Sequence, residues 1–220
     1  TFGLGNDWSF EEDYIKKNNK VKIHIYDHTI NFYPYLKEVF KYFKRFLTFR
    51  TNSQSVINRI KNLIKFKKFI HSKNILFYKE KISSKDKNYT DVSKVFNRIA
   101  SEEKVVIKVD IEGSEFEIIN DLLLYSDRIE MLLFEFHDLD KNEKIFLELT
   151  KKLNEKFYII HIHGNNHCEH PTGGLPVALE VTFMNKKYQP DKIEYVKNFP
   201  RKNLDFANNP FKEDLAFYFE

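Results

Sequence analysis

The stretch Lys108–Glu117, K-V-D-I-E-G-S-E-F-E, decides how this chain is read. Val105, Val106 and Ile107 lead into it as a run of β-branched apolar residues, the pattern of a buried strand. The strand stops at a carboxylate, Asp110, and Glu112, Gly113 and Glu115 follow at once. Phe116, Ile118, Ile119, Leu122 and Leu123 then recur at helical spacing. A strand that ends in acids, turns tightly and continues as a helix is how open α/β sheets build ligand sites. Ligands in such sheets bind beyond the carboxyl ends of the strands.

The beginning of the chain adds a second strand-end acid. Phe2-Gly3-Leu4-Gly5-Asn6-Asp7 is a glycine-rich turn that lets the backbone approach a ligand closely. Ser9 followed by Glu12 predicts a capping box opening a helix near Phe10–Lys17. Val21–Tyr26 alternates as a strand and ends at Asp27, placed to accept hydrogen bonds from ribose hydroxyls. The G-L-G lacks the third glycine of a dinucleotide fingerprint, so the ordered set of turn, helix, strand and acid carries the reading.

Farther along, strands are predicted at Ile75–Tyr78, Val105–Val109, Ile129–Phe136, Phe157–Ile162 and Ala178–Met184. Helices are predicted at Val92–Ile99, Ser114–Leu124 and Glu143–Leu153. Counted with a first strand ending near Phe2, this alternation implies an α/β fold with a seven-stranded, mostly parallel sheet and helices on both faces. The connection from His163 to Pro176 is too short for a crossover helix, so the last two strands should pair antiparallel. Only Thr1 and Phe2 precede the glycine turn, which suggests that the true N-terminus lies upstream. The expected organisation is one domain over 1–220, with a basic helical insertion at 31–73 and an irregular tail at 189–220 holding Pro190, Pro200 and Pro210.

The motifs, taken in order, resemble the FkbM-type methyltransferases, a branch of the class I S-adenosylmethionine-dependent superfamily. The resemblance rests on F-G-L-G-N-D-W-S-F-E from Phe2, Y-D-H-T from Tyr26, K-V-D-I-E-G-S-E from Lys108 and F-E-F-H from Phe134. H-I-H-G-N-N from His161 and P-V-A-L-E-V-T-F from Pro176 complete it. It implies a Rossmann-like fold, S-adenosyl-L-methionine as cofactor, and O-methylation of a sugar or surface glycan. Gly3, Gly5, Asp7, Asp27, Asp110 and Glu112 are the cofactor-binding candidates, and Asp110, His137 and His163 the catalytic ones. Two other readings compete. One is a methyltransferase-fold binding module in glycan assembly that has lost catalysis. The other is a nicotinamide-dependent oxidoreductase, which the missing third glycine disfavours.

The histidines explain the catalytic choice. Glu135-Phe136-His137 closes one predicted strand and His161-Ile162-His163 another, with His167, Glu169 and His170 following. Methyl transfer to oxygen needs the acceptor hydroxyl to lose its proton, and a histidine base would give activity rising through a pKa of roughly 6.5. A divalent metal such as Mg²⁺ or Mn²⁺ on Asp110, His137 and His163 would serve by lowering the hydroxyl's pKa. The alternative is that His161 and His163 only position loops. Cys168 stands alone, which excludes an intrachain disulfide and disfavours structural zinc.

The 220 residues carry a net charge of +4, unevenly spread. From Lys37 to Lys73 the bases are Lys37, Lys41, Lys44, Arg45, Arg50, Arg59, Lys61, Lys65, Lys67, Lys68 and Lys73, and Glu38 is the one acid. Leu36, Val39, Phe40, Phe43 and Leu47, then Val56, Ile60, Leu63 and Ile64, sit at helical spacing. Two basic amphipathic helices follow, read first as a solvated cover for the sheet and second as a surface for an anionic glycan, a lipid-linked sugar phosphate or a membrane headgroup. Nucleic acid is not expected, because the aromatics fall on the apolar stripe. No apolar run is long enough to span a bilayer, and the expected location is cytoplasmic, peripheral to the inner face of the membrane. Richness in Lys, Asn, Ile and Phe suggests a bacterial source with an AT-rich genome.

Overall fold

The computed structural model describes residues 1–30, 32–167, 175–189, 192 and 194–219. Cys168, Glu169, His170 and Pro190 lie outside the described residues. The chain divides into two compact units, Leu4–Glu80 and Thr1–Gly3 with Lys81–Glu220.

The Leu4–Glu80 unit holds α1 (Ser9–Lys17), β1 (Ile23–Tyr26), α2 (Phe32–Leu47), α3 (Ser53–Ile70) and β2 (Ile75–Tyr78). The capping box predicted for α1 does not form. Trp8 occupies the cap position without a side-chain bond to the helix backbone, and the Asp7 carboxylate accepts the Ser9 amide at 2.9 Å instead. β1 and β2 form a parallel pair, Ile23 beside Ile75 and Tyr26 beside Tyr78. Their core gathers Leu4, Trp8, Ile25, Phe66 and Phe69. The Trp8 ring lies 5.2 Å from Phe66 and 5.8 Å from Phe69, and Tyr35 of α2 stacks on Phe66 at 4.6 Å. α3 starts where Asn52 accepts the Ser55 amide at 2.9 Å, an ordinary N-cap.

The other unit contains α4 (Val92–Phe96), β3 (Val105–Val109), α5 (Glu115–Leu124), β4 (Ile129–Phe136), α6 (Leu139–Lys156), β5 (Phe157–Gly164), β6 (Leu179–Asn185), β7 (Asn198–Phe199) and β8 (Phe217–Tyr218). Four strands form a mixed sheet in the order β3-β4-β6-β5, with β3 parallel to β4 and β6 antiparallel to both its neighbours. α5 buries Ile118, Ile119 and Leu122, and α6 buries Phe146, Leu149 and Leu153. Each such side chain contributes about 1.5–3 kcal/mol by leaving water. Phe136 sits at the centre of an aromatic group, 4.8 Å from Phe134, 5.1 Å from Phe146 and 5.6 Å from Phe116.

The seven-stranded, mostly parallel Rossmann-like sheet expected from the sequence is not what forms. The strands are partitioned into the four-stranded mixed sheet and two two-stranded pairs, β1-β2 and β7-β8. Phe2 does not found a strand. It makes one parallel bridge to Val109, through its amide to the Lys108 carbonyl at 2.8 Å and its carbonyl to the Asp110 amide at 2.9 Å. The alternation of apolar runs set most of the elements, but it could not say which backbones share hydrogen bonds. β1 and β2, four residues each, pair with each other.

Two glycines of the first turn differ in what they are for. Gly3 has φ 75°, and a Cβ there would stand 1.7 Å from the Asp110 carbonyl oxygen. Gly5 has φ 61° with nothing within 4 Å of such a Cβ. Gly5→Ala therefore costs the left-handed penalty of about 1–2 kcal/mol, whereas Gly3→Ala adds a backbone collision and costs clearly more. Urea denaturation of the two variants checks the order; equal losses would contradict it.

Candidate functional site

The turn after β3 is organised by one buried acid. Glu115, the first residue of α5 and fully buried, accepts the Ile111 amide at 3.1 Å and the Gly113 amide at 3.0 and 3.1 Å. The backbone can fold back this tightly because Gly113 sits at φ 97° and Glu112 tolerates φ 54°. A non-glycine residue in that region is strained and persists only where its surroundings fix it. Here the Glu115 bonds fix it. The same carboxylate reaches across to the end of β4, where His137 Nδ1 lies 3.0 Å from Glu115 Oε1.

With Nδ1 engaged, the His137 Nε2 edge faces the other acids. It lies 3.6 Å from Glu112, 3.8 Å from Glu135 and 3.9 Å from Asp110. The sheet register explains the meeting. β3 and β4 run parallel with Val109 beside Phe134, so the next residues, Asp110 and Glu135, emerge side by side. Glu135 also accepts Asn165 Nδ2 at 2.8 Å, and Lys108 Nζ stands 3.7 Å from Asp110. K-V-D-I-E-G-S-E and F-E-F-H thus build one cluster.

Their environments push the two central groups in a particular way. Burial opposes a charge on His137, but the hydrogen bond to Glu115 and the charges of Glu115, Glu135 and Glu112 outweigh it and raise its pKa to about 9. Asp110 is pushed above the usual carboxylate range by burial, with Lys108 opposing and Glu135 adding to the rise. At neutral pH the cluster is therefore an imidazolium among carboxylates, which departs from the expected base titrating near 6.5. Ligand atoms of Asp110, Glu135 and His137 all lie within 4.8 Å of one another, a set that could hold a divalent cation once His137 releases its Nε2 proton. In that set Glu135 stands where the sequence reading had His163.

His163 has different partners. Its Nδ1 lies 3.2 Å from Glu180 of β6 and its Nε2 3.1 Å from Asp214 in the C-terminal segment. His161 Nε2 lies 2.8 Å from Asp205. Asn166 donates to the carbonyls of Asn209, Lys212 and Glu213 and accepts the Asn209 amide. The tail, read from sequence as irregular chain, is bonded at Asp205, Asn209, Lys212, Glu213 and Asp214 to β5 and the loop after it. Gly164 makes this possible, since a Cβ there would meet Leu215 at 2.8 Å.

In the Leu4–Glu80 unit, Asp27 holds the glycine turn. One of its oxygens accepts the Leu4 and Gly5 amides at 2.9 and 3.2 Å. The other accepts the Thr29 amide, the Thr29 hydroxyl and the Ile30 amide at 2.7, 2.6 and 3.2 Å. Burial works against the charge, but these donors win and lower its pKa. A ribose at this carboxylate would have to share oxygens that already take five donors. A Cβ on Gly5 would meet nothing within 4 Å, while Asp7 is engaged with Ser9.

No family model matches the chain, and no solved structure matches it. Among curated proteins it is similar to a DNA-directed RNA polymerase subunit beta of Theileria parva, 24% identical over 244 residues. That match covers 94% of this chain and 23% of the polymerase subunit, so the chain spans about a quarter of the relative's length. At that identity the match assigns no family.

The residues the sequence reading left out of the site are the ones that position it. Glu115 was visible only as a helix-start acid, and Glu135 as a strand-end acid and reserve base beside His137. Asp205 and Asp214 had no periodicity or spacing to mark them. The tail anchor makes a testable statement. The hydrogen bond to Glu180 raises the His163 pKa, burial opposes, Asp214 adds, and the value reaches about 9. A raised histidine pKa stabilises fully below the unfolded value of about 6.5, and that contribution disappears as pH rises through 9. His163→Gln should therefore cost about 2 kcal/mol at pH 6, after allowance for solvent screening, and almost nothing at pH 10. Chemical denaturation at the two pH values checks it; a pH-independent loss would contradict it.

Proposed function

We propose that this chain transfers a methyl group from S-adenosylmethionine to a hydroxyl of a sugar or surface glycan. The observation that supports it is the convergence of Asp110, Glu135 and His137, drawn from two motifs of the resemblance, beyond the ends of two adjacent parallel strands. S-adenosylmethionine, when bound, supplies an electrophilic methyl group.

The rest of the proposal concerns protons. Asp110, with its pKa raised by burial, is the carboxylate suited to take the proton of an acceptor hydroxyl. Glu135 stands beside it as a second acceptor. His137 keeps its own proton near neutrality, balances the carboxylates and holds them in place. Glu115 fixes the ring, so that Nδ1 points away from the acceptor and Nε2 toward it. In this assignment His137 is a positioning group and electrostatic counterweight, and His163 is a structural anchor.

Calorimetry with S-adenosylmethionine and S-adenosylhomocysteine tests the cofactor, and absence of binding to either would overturn the reading. Asp110→Asn should lower methyl transfer by roughly 10²–10⁴-fold while circular dichroism and cofactor affinity stay unchanged. A fully active, folded Asp110→Asn protein would remove Asp110 from the chemistry. Chelators should leave turnover intact. Loss on chelation with recovery on adding Mg²⁺ or Mn²⁺ would assign the cluster to a cation instead.

A further inference from the structure

α2 carries an apolar stripe that stays exposed. Leu36, Phe40, Phe43 and Leu47 recur at intervals of four, three and four, so they share one face of the helix. Phe40 is 69% exposed and Leu47 62%, and Phe49, just past the helix, is 98% exposed. The contacts of α2 with α3 use other positions. Tyr35 stacks on Phe66, and the Arg59 guanidinium lies 4.5 Å over the Tyr42 ring. The sequence pattern had placed this stripe inward as cover for a sheet; the structure leaves it in solvent.

The charge beside the stripe is mostly positive. Lys37, Lys41, Lys44 and Arg45 are all exposed on α2, and Glu38, the one acid between Lys37 and Lys73, is paired with Lys41 at 2.9 Å. We propose that this face docks on a bilayer containing anionic lipid. α2 would lie in the plane of the interface, with Phe40, Phe43 and Leu47 among the acyl chains and the lysines among the headgroups. No described helix is long and apolar enough to cross a membrane, so the association is with one surface.

Two other occupants fit less well. A glycan is held by hydrogen bonds and by stacking on aromatic faces, and gains nothing from Leu36 and Leu47. A second copy meeting face to face would set the same row of bases against itself, since a two-fold contact brings identical patches together. An anionic bilayer satisfies the apolar stripe and the charge together.

Co-sedimentation of the full chain with phosphatidylcholine vesicles, with and without phosphatidylglycerol, tests this. Binding is expected only with phosphatidylglycerol and should weaken as salt rises. Phe40→Ser/Leu47→Ser and Lys37→Glu/Lys44→Glu should each lower partitioning by at least about tenfold, with unchanged circular dichroism. No binding to anionic vesicles, equal binding to neutral ones, or wild-type partitioning in both double variants would overturn the proposal. So would a concentration-dependent dimer that the Phe40→Ser/Leu47→Ser change abolishes.

Discussion

The Glu115 carboxylate, buried at the first turn of α5, is the group on which the candidate site depends. A charged oxygen pair removed from water must find donors or lose its charge. It finds them in the amides of Ile111 and Gly113 and in the His137 ring. Those bonds do three things together. They close the D-I-E-G turn through the left-handed conformation at Glu112, they start α5, and they tie the end of β3 to the end of β4. Its place at a helix N-terminus, where the dipole favours negative charge, contributes in the same direction.

From that tie follows the electrical character of the cluster. A histidine ring held by one carboxylate and facing three more keeps its proton well above neutrality. Asp110 is displaced in the same direction, toward its proton-holding form, because burial disfavours its charge and Glu135 stands beside it. Neighbouring titratable groups whose affinities are displaced in this manner mark acid–base chemistry more often than simple surface charge does. His163 of β5 uses the same physics for another end. His163 pairs with Asp214 and His161 lies 2.8 Å from Asp205, and these contacts secure a tail whose described strands are the two-residue β7-β8 pair.

The elements were largely legible in the sequence, because their apolar periods are short and clearly bounded. β3 and β4 form over the predicted residues, and α5 begins one residue later than predicted. Pairing was not legible. Period and propensity state that Ile75–Tyr78 is a strand; they do not say that it bonds to β1 within a separate two-stranded pair. The site was half legible. Asp110 and His137 could be placed together from their strand ends. His163 could not be separated from them, since its partner Asp214 lies fifty-one residues away in a segment without pattern. α2 misled in a further way, because an amphipathic period identifies an apolar face without identifying what covers it.

The most direct measurement is an NMR titration of the His137 imidazole in the wild type and in Glu115→Gln. The account predicts that wild-type His137 keeps its proton until about pH 9, with Nδ1 hydrogen-bonded. In the Glu115→Gln variant its pKa should fall clearly toward the ordinary histidine value of about 6.5. A wild-type His137 titrating near the ordinary value, or one indifferent to the loss of the Glu115 charge, would contradict it.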